Sequence, residues 1–191
     1  MQKVLDHVDR IVRPALRDYL AAERALNTAH DTKDNAAIDA ARSDAMRKAR
    51  SAANELHHLA DFVLNNPPPG MPSYPDVGPL RLHLNPHCVF LRTTTLIDDV
   101  QLLRAVSEAL KHFHLDRPGA MIQDANSVIM FGSGWGQMRY GEGKYGGAEQ
   151  VLVVRKTGEK RALSSILQNV FDAWLSLLGQ PLLPIGDYSR P

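Results

Sequence analysis

The sequence predicts a mainly α-helical fold, a four-helix bundle with a β-hairpin inserted before the last helix. Three observations predict it. Apolar residues recur every three or four positions through four segments, the helical period. A later stretch changes to short runs rich in Val and Ile, the pattern of strands. Prolines and glycines gather at 65–80 and 132–147 and leave the helical segments almost free of breakers. The 191 residues suffice for one domain, here the whole chain 1–191, with a proline-rich loop at 65–80 and a glycine-rich hairpin at 126–156.

The first helical segment runs from Val4 to about Ala29, with Leu5, Val8, Val12, Leu16, Tyr19 and Leu20 on one face. Pro14 should kink it or sit in the first turn of a second helix. A polar break at 30–34 follows, with Asp34 as the N-cap of the next helix. That helix, about 35–64, carries Ile38, Ala41, Ala45, Ala49, Ala52, Leu56, Leu59 and Val63, every step three or four. The many alanines suit close approach to a neighbouring helix. Six prolines between Pro67 and Pro79 then predict extended surface chain. Helical pattern resumes near Asp98 and runs to Phe113, with Leu103, Val106, Leu110 and Phe113 inward. Ser127–Phe131 and Gln150–Lys156 read as strands, and Thr157–Lys160 as a turn. The last helix follows, with Leu163, Leu167, Val170, Trp174 and Leu177 on its core face, Ser165 and Gln168 as a capping box, and Gly179 and Pro181 as its stop.

Composition excludes several classes. Twenty-two Lys and Arg against 21 Asp and Glu leave no global field to recruit nucleic acid or an anionic membrane. No run approaches the ~18 apolar residues of a membrane span. The charged start, Met1-Gln2-Lys3-Val4-Leu5-Asp6, does not read as a secretory signal, and Cys88 stands alone, so the expected location is the cytoplasm.

Gly141-Glu142-Gly143-Lys144-Tyr145-Gly146 matches the letters of a dinucleotide fingerprint or a kinase glycine loop. A phosphate loop needs a helix start after it, and here a strand follows. No cofactor is therefore expected. Nor is a metal, because His83, His87 and Cys88 have no second ligand pair at zinc spacing. His57 lies four before Asp61, the spacing of an intrahelical hydrogen bond. Cys88 reads as a buried thiol, since His87 beside it in extended chain points away.

The most informative constellation is Arg104, Glu108, Lys111 and His112. Residues four apart on a helix lie about 40° round and ~6 Å along. Glu108 can thus reach Arg104 on one side and His112 on the other, and Lys111 returns nearly to the face of Arg104. A ridge with a permanent cation, a carboxylate, an amine and an imidazole can hold a phosphate and move a proton. It can equally be a set of ordinary ion pairs on an exposed face.

An arginine followed by a polar residue and a Lys-His pair on the third helix of a bundle resembles the HEPN superfamily (higher eukaryotes and prokaryotes nucleotide-binding). The stretch also resembles bacterial proteins with such a bundle, a glycine-rich segment and a Trp-bearing last helix. Members of the superfamily often act as metal-independent RNases in defence and toxin systems, with Arg and His at a dimer interface. The family places four to six residues between them; Arg104 and His112 are separated by seven. The resemblance implies His112 as general acid or base, Arg104 as stabiliser of phosphorane charge, Glu108 as the group that orients His112, and Lys111 and Arg117 as further phosphate contacts. The alternative, given more weight, is a helical-bundle module that binds a protein partner or a second copy of itself, with RNA as the partner of the RNase reading only. The proline loop and the glycine-rich hairpin favour it. In the hairpin, Trp135, Tyr140 and Tyr145 are expected to pack back on the bundle or to present a sticky surface. The flanking strands should dock on the last helix at Phe171 or Trp174, because a lone hairpin is only marginally stable.

Overall fold

The computed structural model describes residues 1–112, 119–132 and 149–182. They form a mainly helical fold with a small three-stranded antiparallel sheet. The helices are α1 (Gln2–His7), α2 (Arg13–Thr32), α3 (Asn35–Asn65), α4 (Val77–Leu84), α5 (Asp99–His112) and α6 (Leu163–Leu177), and the strands are β1 (Val128–Gly132), β2 (Glu149–Val154) and β3 (Lys160–Ala162). No helix among the described residues is long and apolar enough to cross a membrane.

A single π-helical turn, Val8–Val12, joins α1 to α2, and Pro14 occupies the first turn of α2. The chain stays helical from Gln2 to Thr32, and the wider i→i+5 turn just before Pro14, with Arg13 N–H reaching Val8 O, is where the helix accommodates a residue that cannot donate. Lys33 closes α2 in the left-handed conformation, and the Asp34 carboxylate accepts from the amides of Ala36 and Ala37 to start α3. Of the α3 stripe, only Ala41 is not fully buried. α2 and α3 pack as a hairpin; α3 and α6 both contact α5.

Three expectations are corrected. The proline segment is not extended throughout: Val77–Leu84 is helical. The Asp76 carboxylate caps it by accepting from the Gly78 amide at 2.7 Å, and Pro79 falls in its first turn, where it costs little. Thr157–Gly158 reverses the chain, with Gly158 at φ 83°, and Lys160–Ala162 returns as a third strand instead of ending in a turn. Finally, α6 starts at Leu163 with Ala162 as an uncapped N-cap, so Ser165 and Gln168 lie inside the helix and form no capping box.

The sheet, ordered β1-β2-β3, docks on α6 and also on α2 and α3. Val151 and Val153 share the core with Phe171 and Trp174. Two polar ties fix its position. Buried Glu23 receives Tyr19 Oη at 2.5 Å and the Val151 amide at 3.3 Å. Glu149 at the start of β2 receives Arg42 Nε at 2.7 Å and lies 3.1 Å from His30 Nε2. The Arg42 hydrogen bond holds the Glu149 carboxyl below the usual carboxylate range.

Candidate functional site

Arg104, Glu108, Lys111 and His112 all lie on α5, whose other face carries the buried Leu102, Leu103, Ala105, Val106 and Ala109. Arg104 Nε donates to Glu108 Oε1 at 2.7 Å, both side chains partly exposed. Lys111 turns the other way, to α3, and donates to His58 Nε2. An ammonium only donates, so Nε2 is the acceptor and the His58 proton sits on Nδ1, which faces Asp61 Oδ2 at 3.0 Å. Lys111, His58 and Asp61 thus form one chain across two helices. His112, exposed at the last turn of α5, makes no hydrogen bond or ion pair with a described residue. The ridge therefore brings Arg104 and Glu108 together and leaves His112 outside the pair. Arg117, Trp135, Tyr140 and Tyr145 lie outside the described residues.

The pairing expected for His57 belongs to His58. His57 instead faces inward, where Arg81 Nη2 donates to its Nε2 at 3.3 Å. Burial, then the Arg81 charge, pushes its pKa down to about 3. Its ring stays neutral because a protonated Nε2 could not accept from a guanidinium. Among the described residues, no three His, Cys, Asp or Glu side chains are grouped to hold a metal.

The most heavily built polar region lies elsewhere, where 88–99 crosses α6. Asp99, fully buried, accepts at Oδ2 from Arg161 Nη2 and Asn169 Nδ2, both at 2.8 Å, while its Oδ1 accepts none. Burial dominates and raises its pKa, opposed by Arg161. Asn169 Oδ1 accepts from the Leu91 amide at 2.8 Å. Arg92 clasps Asp172 through Nε at 2.8 Å and Nη2 at 3.1 Å, and Gln168 adds a donor at 2.9 Å. Leu91 and Arg92 are both left-handed, at φ 40° and 63°. Two such residues in a row cost roughly 1–3 kcal/mol each, and the side chains of α6 hold them there. Cys88 is buried beside Asp99, and its thiol is pushed up to about 12, chiefly by burial. It is a poor nucleophile.

This pinned loop forms one wall of a recess of about 660 Å³, lined by Leu82 and Pro86 from one side, Leu96, Ile97 and Asp98 from the loop, and Arg155, Glu159 and Arg161 around the β2–β3 turn. Leu82 and Leu96 are 64% and 63% exposed. Arg155 donates from both terminal nitrogens to Asp98, and from Nη1 to Glu159 at 3.2 Å. Arg161 lies over the Phe90 ring at 5.6 Å and reaches back to Asp99.

Sequence reasoning missed this region. One signal for it was present: Gln168, Asn169 and Asp172 interrupt the apolar middle of the last helix, and polar residues there need partners if the helix is buried on all sides. No family model matches the chain, and no curated protein or solved structure is significantly similar to it.

Proposed function

We propose that the chain is a cytoplasmic protein-interaction module, in which α2, α3, α5 and α6 form a helical bundle and the recess beside the pinned loop receives a partner. One observation carries the reading. Two leucines about two-thirds exposed flank a single recess, and the loop that forms one of its walls is anchored on α6 through Leu91 and Arg92, two left-handed residues held by Asn169 and Asp172. Scattered exposed leucines are ordinary. A pair at the mouth of a preorganised recess supports docking, because an ordered surface spares the entropy of ordering on binding.

A photo-crosslinking residue at position 82 or 96, with position 11 as an exposed control, tests it in the cell. Polypeptide adducts at 82 and 96 and none at 11 are expected. No adduct at either, or equal adducts at 11, contradicts the reading.

A second reading, the HEPN-like metal-independent RNase, is favoured by exposed His112, which no described group engages, on the same helix as Arg104 and Lys111. There His112 would exchange protons with a ribose hydroxyl or leaving oxygen and Arg104 would stabilise the phosphorane, with the ridges of two protomers meeting; Glu108, expected to orient His112, is paired with Arg104 instead. The pairing of Arg104 with Glu108 and of Lys111 with His58 makes these cations less free for phosphate, which ranks it second. RNA cleaved by the native protein and not by His112→Ala would reverse the order.

A further inference from the structure

We infer that the recess takes a polypeptide segment of a partner in which a lysine or arginine neighbours a leucine-sized aliphatic side chain, an inference that rests on the docking reading above.

The apolar half of the argument comes from Leu82, Pro86, Leu96 and Ile97. They line the recess from two separate segments, and the two leucines stand at its mouth. A small molecule filling the floor would leave those leucines in water. A polypeptide lying across the mouth with one aliphatic side chain inserted would cover them.

The sign of the partner's charge follows from depth. Asp98 and Glu159 have side chains 47% and 46% exposed, whereas those of Arg155 and Arg161 are 17% and 9% exposed. The carboxylates therefore face the partner, and the guanidiniums lie beneath them, already engaged. Among the lining residues Asp98 and Glu159 balance Arg155 and Arg161, so the sign is set by which groups stand outermost. Glu159 meets Arg155 through Oε2, which leaves Oε1 with the capacity to accept from an incoming cation. An acidic partner would meet the two outermost carboxylates; a basic one complements them.

The wall is rigid enough to discriminate. The Phe90 amide donates to Thr95 O at 2.9 Å, the Ile97 amide to Cys88 O at 3.1 Å, and Val89 bridges Leu96, so the segment carrying Leu96, Ile97 and Asp98 is closed on itself before α6 pins it.

Panning the full chain against a phage library of randomised dodecapeptides tests the inference. Selected sequences should place Lys or Arg within two residues of Leu, Ile or Met. A synthetic copy of the commonest should bind about tenfold more weakly to Leu96→Asp and to Glu159→Lys. Both positions are exposed, so an unchanged urea midpoint will show the fold intact. Binding should also weaken from 50 to 300 mM salt as the charges are screened. Acidic or uncharged binders, indifferent to Glu159→Lys but lost with Leu96→Asp, overturn the charge inference and leave the docking reading standing. Absence of any selected peptide, or binders indifferent to Leu96→Asp, removes both. A concentration-dependent dimer abolished by Leu96→Asp also overturns it, because a second copy would then be the occupant.

Discussion

Replacing Arg161 by Met should be among the most destabilising changes available near the recess, and its size follows from the geometry. Asp99 is fully buried and depends on two donors at 2.8 Å, Arg161 and Asn169, with Oδ1 accepting from neither. Met keeps an aliphatic stem but removes the charge, and with it the guanidinium that lies over the Phe90 ring. What remains is a buried carboxylate with one neutral donor, and breaking a buried pair in this way costs about 3–5 kcal/mol. At roughly 2–4 °C per kcal/mol for a chain of this size, the melting temperature should fall by roughly 6–20 °C. The pH dependence gives a second handle. Asp99 has a folded pKa raised above its unfolded value, so the folded state holds the proton more tightly. Stability then falls as pH rises from the unfolded value through the raised one, and the penalty is fully present above both. Loss of Arg161 raises the folded value further. Urea unfolding of Arg161→Met at pH 7 and pH 5 should therefore show partial recovery at pH 5. The double variant with Asp99→Asn should recover most of the loss at pH 7, because it has no buried charge to strand. A loss below about 1 kcal/mol, or a double variant no better than the single, would refute this account of the network.

Further outcomes follow from the same structure. Arg92→Ala should cost about 1–3 kcal/mol by stranding buried Asp172, and should speed hydrogen exchange at the Leu91 amide; unchanged exchange there would mean that α6 does not pin the loop. His57 has a folded pKa of about 3, below its unfolded value, so its share of stability is present above pH ~6.5 and lost as pH falls toward 3. The penalty of His57→Gln measured at pH 7 should accordingly shrink at pH 4.5, and an equal penalty at both would be inconsistent with a neutral, half-buried ring. Cys88 should resist a disulfide reagent in the folded protein at pH 8 and react fully in urea, since burial pushes its thiol up to about 12; rapid native labelling would contradict that burial.

The helices that face the core on one side were legible in the sequence, because burial of one stripe imposes a period. The stripe of α3 from Ile38 to Val63 and the cap at Asp34 are read directly from residue type and spacing. α4 was not, because six prolines outweigh eight residues of helix, and only the cap at Asp76 argued otherwise. β3 was missed because three residues carry too little period to separate from a turn. The Arg104–Glu108 contact was visible as an i, i+4 pair, whereas the turn of Lys111 toward His58 depends on how α5 lies against α3. The network of Asp99, Arg161, Asn169, Arg92 and Asp172 joins positions 62 to 80 residues apart, and no local rule brings them together.

The most direct test of the docking claim is amide chemical-shift mapping of the labelled full chain titrated with a selected peptide. The account predicts the largest shifts at Leu82, Leu96, Ile97, Asp98, Arg155, Glu159 and Arg161, the residues around the recess. Shifts centred on Arg104, Glu108 and Lys111, with the recess unmoved, would contradict it.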